Sequence, residues 1–272
     1  MLTKPWPLRV SCWTRPAAAG SSTFLLLHGT GSDHGSFDRL VHRLPRETGL
    51  ILPDLPGHGE SAPNETPSFG LFEMAQWLEE ALVQLQVSPN LLVGHSAGGA
   101  VALAMALTHP ERSVLGLAPS LVPPPPLYNS LVGPWLGPIV RSRPSLAFGH
   151  WLAGQHLVID RLLASTASPI DVSQQRRYRT LFASKAHLEG TLAFMAGTDL
   201  PALLADPRLS SIQKVAILSA RDDPWIPAAS LQEIVQTRLP TARTRWLDKG
   251  GHLFHESDSR PVLDFITELT RP

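Results

Sequence analysis

The sequence predicts an α/β fold in which a mostly parallel sheet is flanked by helices and carries an inserted helical cap. Three observations carry this. Short continuous apolar runs, each ending in a glycine-bearing or acidic loop, recur in both halves of the chain, as buried strands do when both faces of a sheet are covered. The run Asn90–Val93 turns through Gly94-His95-Ser96-Ala97-Gly98 into the helix-like stretch Gly99–Leu107. Between Leu127 and Leu204, by contrast, helical periodicities appear and no buried strand does.

In chain order, Thr23–Leu27 is the first such run and opens into His28-Gly29-Thr30-Gly31, a buried strand followed by a glycine-rich loop. Ile51–Leu55 leads into the tight turn Pro56-Gly57-His58-Gly59-Glu60-Ser61, where His58 reads as a turn residue; His28 reads as a residue that orients its own loop. Ala100–Leu107 is the helix behind Ser96, and Ser113–Leu117 is the next strand. Pro123-Pro124-Pro125-Pro126 then forms a stiff connector that continues neither sheet nor helix. Helical periodicities follow around Ser145–Ala153, His156–Ala164, Ser173–Ala183 and His187–Met195. Strands resume at Lys214–Leu218 and Thr244–Leu247, and a final helix covers roughly Pro261–Thr270. Residues 1–120 and 205–272 are therefore expected to form the core and residues 121–204 the cap.

Glycines on both sides of Ser96 let the chain bend sharply enough to lift its hydroxyl clear of the sheet, so Ser96 reads as a nucleophile. A serine hydroxyl needs a histidine to take its proton and a carboxylate to hold that histidine's tautomer. The required order on a sheet scaffold is serine, acid, histidine. Acids follow the strand at Lys214–Leu218, in Ser219-Ala220-Arg221-Asp222-Asp223-Pro224-Trp225, and a histidine follows the last strand, in Asp248-Lys249-Gly250-Gly251-His252. His252 is the expected base, ahead of His255 three residues on. Asp222 and Asp223 are adjacent, and one should face the histidine while the other faces solvent or caps the next turn; Asp223 is preferred and the choice stays open. Backbone N–H groups of Thr30 and Ala97 are expected to form an oxyanion hole.

The 272 residues are 43% hydrophobic, enough for a substantial core, and the formal net charge is zero. With no basic cluster of note, neither nucleic acid nor an acidic membrane surface is an expected partner. Cys12 is the only cysteine, so no intrachain disulfide is possible. Met1–Arg15 lacks the apolar run of a signal peptide and no stretch is long and apolar enough to span a membrane, so a cytoplasmic location is expected. No metal or other cofactor is expected: His252 and His255 lack the H-E-x-x-H spacing, and Cys12 stands apart from any cluster. A dehalogenase would need a carboxylate where Ser96 stands.

Trp135, Phe148, Trp151, Phe194 and Met195, together with Trp225 on the acid loop, are expected to roof an apolar, aromatic substrate pocket. Arg176, Arg177 and Arg179 read as a solvated helix face that could alternatively meet a carboxylate.

The motifs H-G-T-G, D-L-P-G-H-G-E-S, G-H-S-A-G-G, D-x-x-x-P from Asp223 to Pro227 and G-G-H resemble those of the α/β-hydrolase fold family over nearly the whole chain. That resemblance implies the same roles for Ser96, Asp223, His252, Thr30 and Ala97. It departs at Ala220, where the family usually has a glycine three residues before the acid. A narrower similarity lies in the cap: Leu162–Thr166, Tyr178–Phe182, His187–Ala196 and Leu200–Leu204 resemble magnesium-chelatase accessory proteins, α/β-hydrolase homologues of bacteriochlorophyll synthesis. The loop H-G-T-G-S fits that group too, whereas the proline-rich entry after Ser120 does not. The resemblance implies a large planar tetrapyrrole ligand with ester and carboxylate groups, and pigment-biosynthesis enzymes as partners. Three functions follow: a serine hydrolase of a bulky apolar or tetrapyrrole ester, a porphyrin-binding accessory protein with incidental hydrolysis, or a general small-molecule carboxylesterase.

Overall fold

A computed structural model describes residues 10–61, 69–122, 144–145 and 156–270. Its strands are β1 (Cys12–Arg15), β2 (Thr23–Leu27), β3 (Gly49–Pro53), β4 (Leu91–His95), β5 (Ser113–Leu117), β6 (Val215–Ala220) and β7 (Arg243–Leu247). They form one sheet in the order β1-β3-β2-β4-β5-β6-β7, with β1 antiparallel to β3 and every other pair parallel. Strands β3, β4 and β6 are buried at every position, which is why they read as unbroken apolar runs. At the edge, β7 keeps Arg243 and Thr244 exposed.

Helices cover both faces. Helix α1 (Asp38–Val41) is short; α2 (Leu71–Leu85) buries Leu71, Met74, Trp77, Leu78 and Leu82 at helical spacing against the sheet. In α3 (Ala97–Ala106) every residue is buried, and its small side chains allow a close approach: a Cβ on Gly98 would collide with the Leu27 carbonyl oxygen of β2. Between β5 and β6 the described residues include the helices α4 (His156–Ala164), α5 (Val172–Ala183), α6 (Lys185–Gly197) and α7 (Leu200–Ala205), a 3-10 turn at Pro207–Ser211, and no strand. After β6 come α8 (Ala228–Arg238), α9 (Phe254–Ser257) and α10 (Arg260–Thr270). Most of the expected Ser145–Ala153 helix lies outside the described residues. The strand expected at Ile51–Leu55 begins and ends two residues earlier, because its register follows the pairing of Leu50–Pro53 with β1. No helix among the described residues is long and apolar enough to cross a membrane.

The chain reverses its lateral direction between β2 and β4: β3 and β1 lie on one side, β5, β6 and β7 on the other. Loops at the carboxyl ends of β2 and β4 therefore open a crevice where ligands bind in open α/β sheets. Ser96 follows β4 and Gly29–Ser32 follows β2, so both lie at this crevice.

Candidate active site

Ser96 sits between β4 and α3 with φ 51° and ψ −119°, a conformation that costs a non-glycine residue about 1–3 kcal/mol. The surroundings impose it: Ser96 N–H donates to the Leu117 carbonyl of β5 (2.9 Å), and its own carbonyl accepts from Gly99 N–H (3.0 Å) and Ser120 N–H (2.9 Å). Gly94 is required here, since a Cβ would collide with the Gly98 carbonyl.

Ser96 Oγ lies 3.1 Å from His252 Nε2, and His252 Nδ1 lies 2.8 Å from Asp223 Oδ2. An ionised carboxylate only accepts, so Nδ1 carries the proton and Nε2 turns its lone pair toward the serine hydroxyl. Asp223 Oδ1 accepts from the N–H groups of Trp225 (2.8 Å) and Ile226 (3.0 Å), which fixes the plane of its carboxyl group. Asp223 and His252 are both buried. Asp222 turns the other way and accepts from Gly250 N–H (3.2 Å) and Gly251 N–H (2.9 Å). The adjacent acids thus divide the work, one holding the imidazole and the other the backbone of its loop. That second task carries no sequence motif.

The His252 loop is latched from three more sides. His95 Nε2–H donates to the His252 carbonyl (3.0 Å), His252 N–H donates to the Thr166 carbonyl (2.8 Å), and Leu253 N–H donates to Ser168 Oγ (2.7 Å). Gly251, at φ 64°, is needed where the Thr166–Ala167 backbone passes, because a Cβ would collide with the Thr166 carbonyl oxygen. His255, the alternative base, faces away: it stacks on His95 with ring centroids 4.1 Å apart, and burial lowers its pKa to about 3.

Thr30 lies in the loop Gly29–Ser32, closed by a Ser32 N–H bond to the Gly29 carbonyl (3.1 Å), and a Cβ on Gly29 would meet Ser96 Cβ at 3.0 Å. Ala97 is the first residue of α3. Both thus adjoin the serine. His28 orients the first loop by accepting Leu55 N–H at Nε2 (2.9 Å) and donating from Nδ1 to the Gly29 carbonyl (2.8 Å); burial keeps it neutral. His58 donates within its turn to the Pro56 carbonyl (3.1 Å). Asp54 opens the D-L-P-G-H-G-E-S motif, and its carboxylate accepts from His34 N–H (2.8 Å), His34 Nδ1–H (2.7 Å) and Glu60 N–H (2.7 Å). Burial would raise its pKa, but these bonds, His34 first, pull it down to about 2. Asp33, His34 and Asp54 bring metal-ligand atoms near one another, yet these bonds and the Asp33–Arg177 pair already engage them.

A cavity of about 70 Å³ adjoins Ser96 and His252, walled by Thr30, Leu163, Thr166, Tyr178, Phe182 and Trp225 among others. Of the expected roof residues, Trp225 lines it, while Trp135, Phe148 and Trp151 lie outside the described residues. Phe194 does not: it is fully buried, stacked on Phe69 at 5.8 Å, as part of the contact between cap helix α6 and the core. Met195, one residue on, points to solvent instead. Phe182, at the end of α5, supplies the aromatic wall that composition alone could not assign.

The arginines of α5 also separate. Arg176 is exposed, as a solvated face requires, but Arg179 pairs with Asp160 (2.8 Å) and Arg177 is drawn into a buried cluster. Arg177 bonds Glu256 Oε2 (2.6 Å) and Asp33 Oδ1, and Tyr178 O–H donates to Glu256 Oε1 (2.6 Å) while lying 3.2 Å from Ser32 Oγ. Burial raises the Glu256 pKa, and Arg177 opposes the shift. The cap thereby grips both the Gly29–Asp33 loop and the segment after His252. Nothing in the local sequence of Tyr178 or Glu256 marks these roles.

The α/β hydrolase family model matches residues 24–265. The chain is 34% identical to the magnesium-chelatase 30 kDa subunit of Rhodobacter capsulatus over 243 residues, 88% of this chain and 83% of that protein. It is 28% identical to the pimeloyl-[acyl-carrier protein] methyl ester esterase of Aromatoleum aromaticum, over 89% of this chain and 96% of that one. A thermophilic esterase from Thermogutta terrifontis superposes with a TM-score of 0.75 at 20% identity, covering 96% of this chain and 92% of that one. From the sheet order, the loops that converge on Ser96 and the extent of these matches, the chain belongs to the alpha/beta hydrolase family.

Proposed function

We propose that the protein is a serine hydrolase that cleaves a carboxylic ester, with Ser96 as nucleophile, His252 as general base and acid, Asp223 as the group that orients it, and the N–H groups of Thr30 and Ala97 as oxyanion donors. The observation that carries the reading is the continuous contact from Ser96 Oγ through His252 to Asp223, at 3.1 and 2.8 Å. Oγ attacks the ester carbonyl carbon as its proton passes to Nε2, and the carbonyl π pair moves onto oxygen, facing the two amides. Collapse of the tetrahedral species expels the alcohol, which takes the proton from Nε2. Water, deprotonated by His252, then attacks the acyl-serine, releasing the acid and returning the proton to Ser96.

The substrate we assign is an ester of a bulky apolar acid, a tetrapyrrole in the first instance. The likeness to a magnesium-chelatase subunit supports it. The cavity of about 70 Å³ at Ser96 has room for the ester arm of such a substrate. A general carboxylesterase is the second reading, favoured by the methyl ester esterase likeness. A fluorophosphonate should label the wild type at Ser96 and leave Ser96→Ala unlabelled. Turnover of p-nitrophenyl esters by the variant should fall by several orders of magnitude with the fold intact. Comparable turnover would refute the nucleophile. Porphyrin titration should quench tryptophan fluorescence at micromolar ligand; no quenching, with brisk hydrolysis of short-chain esters, would select the general carboxylesterase.

A further inference from the structure

Trp225 is 43% exposed, yet its position is fixed at three points. Its backbone N–H holds Asp223 Oδ1 at 2.8 Å, its indole Nε1–H donates to Ser165 Oγ at the end of α4 (3.2 Å), and its ring lies over the His252 imidazole with centroids 5.0 Å apart and planes inclined by 32°. Pro224 before it and Pro227 two residues on stiffen the segment, and Ile226 anchors it in the core. The indole covers one face of the imidazole at the wall of the Ser96 cavity.

The charges around His252 are few. Asp223 is the formal charge in contact with the ring, and Asp222 lies behind the loop on the Gly250 and Gly251 amides. The His95 ring, which burial holds neutral, also packs against the imidazole with centroids 4.8 Å apart, and beyond it lies His255, also neutral. From the cap, the Thr166 carbonyl accepts His252 N–H, and the Tyr178 phenol shares the cavity. Neither neutral histidine compensates a positive charge. The electron-rich indole face does, because an aromatic quadrupole attracts a cation held over it.

We infer that the Trp225 side chain is a positioning group for the hydrolytic reaction: anchored on Ser165, its indole packs against the His252 ring and stabilises the imidazolium that forms as the Ser96 proton passes to Nε2. The inference rests on the assignment of Ser96 and His252 above. Its measurable sign follows from which state the indole favours. The base must be neutral to act, so a group that stabilises the imidazolium moves the acidic limb of the rate profile to higher pH, and removing that group moves it down.

The test is the pH dependence, from pH 4.5 to 9, of fluorophosphonate labelling and of ester kcat/KM in wild type, Trp225→Phe and Trp225→Leu. In Trp225→Leu the acidic limb should move down by about half a pH unit and the plateau should fall about two- to fivefold. Trp225→Phe, which keeps an aromatic face, should lie between. Incorporating fluorinated tryptophan, which keeps the shape and weakens the π face, should shift the wild-type limb downward and leave Trp225→Phe unmoved; this arm decides the matter even where Trp225→Leu folds poorly. An acidic limb that stays put, or moves up because water now reaches the imidazole, overturns the inference while Ser96 labelling upholds the nucleophile. A wild-type protein that neither labels at Ser96 nor hydrolyses esters overturns the underlying assignment itself.

Discussion

Replacing Asp223 by asparagine should abolish most activity without unfolding the chain, and the hydrogen bonds around it say why. The asparagine amide is planar and offers one acceptor and one donor end. The N–H groups of Trp225 and Ile226, at 2.8 and 3.0 Å from Oδ1, select the acceptor end for that side. The NH2 group is left facing His252 Nδ1, where it donates; Nδ1 must then be the unprotonated nitrogen and Nε2 carries the hydrogen. An Nε2–H cannot accept the Ser96 proton, so kcat should drop by on the order of 10⁴-fold near neutral pH. Asp222→Asn keeps an oxygen for one of the Gly250 and Gly251 amides and weakens the hold on the other, which costs about 1 kcal/mol of loop stability and less than tenfold in kcat. Burst kinetics with p-nitrophenyl acetate, alongside thermal unfolding of both variants, gives the ranking. A mild Asp223→Asn and a crippled Asp222→Asn would refute the reasoning and move the acid by one residue.

Gly251→Ala should destabilise the protein by about 1–3 kcal/mol or more, because it combines φ 64° with a collision against the Thr166 carbonyl; unchanged urea unfolding would count against the latch. His255→Phe should raise Tm by a few degrees, since both ring nitrogens of His255 are buried without hydrogen-bond partners between Phe37 and Phe254, and a lowered Tm would show that those nitrogens are satisfied. The same histidine sets an acid dependence together with His187, whose pKa burial lowers to about 4. Below about pH 6.5 the unfolded chain protonates these two while the folded chain does not, so each should remove about 1.4 kcal/mol of stability per pH unit down to its folded pKa. Urea unfolding between pH 7 and 4.5 checks this, and a slope unchanged in His255→Phe would refute it.

The central strands were legible because a parallel strand covered on both faces has no polar alternation to confuse the reading, and the loops that follow them carry the glycines and acids that gather at Ser96. Strand β1 was not, because four residues on an antiparallel edge, Cys12–Arg15, with the inner two exposed, leave no apolar run. Helix α2 repeats its apolar residues at helical spacing but abuts no motif. Composition pointed to Phe194 and Met195 as pocket residues, yet which face of a cap helix looks inward depends on how that helix docks. Phe194 is spent on Phe69 and the His58 turn, and Phe182 takes the cavity instead. Between the adjacent Asp222 and Asp223 the residues give a preference for Asp223 but leave the choice open; the direction of the turn, set by Asp223 N–H bonding the Ala220 carbonyl (3.3 Å) and by the amides that follow, turns Asp223 toward the histidine.

The attachments of the cap bear on how the site tolerates change. The turn Ser165–Ser168 carries the Thr166 carbonyl that takes His252 N–H, the Ser168 hydroxyl that takes Leu253 N–H and the Ser165 hydroxyl that takes the Trp225 indole. Helix α5 reaches the other loop, through Arg177 to Asp33 and Tyr178 to Ser32, and returns to the base side through Glu256. Arg177 cannot be judged by its Coulomb attraction alone, because burying one cation with two carboxylates costs several kcal/mol of hydration that the pairing must repay. What the arrangement secures is direction: the guanidinium fork offers Nη1–H to Asp33 and Nη2–H to Glu256 from two nitrogens fixed in one plane, where a lysine would have a single nitrogen for both. The loop after β2 and the loop after β7 are thus fixed relative to each other by a cap residue, not by the sheet alone. The inward edge of the cap formed by Ser165–Ser168, Arg177 and Tyr178 is committed to the same geometry as Ser96 and His252.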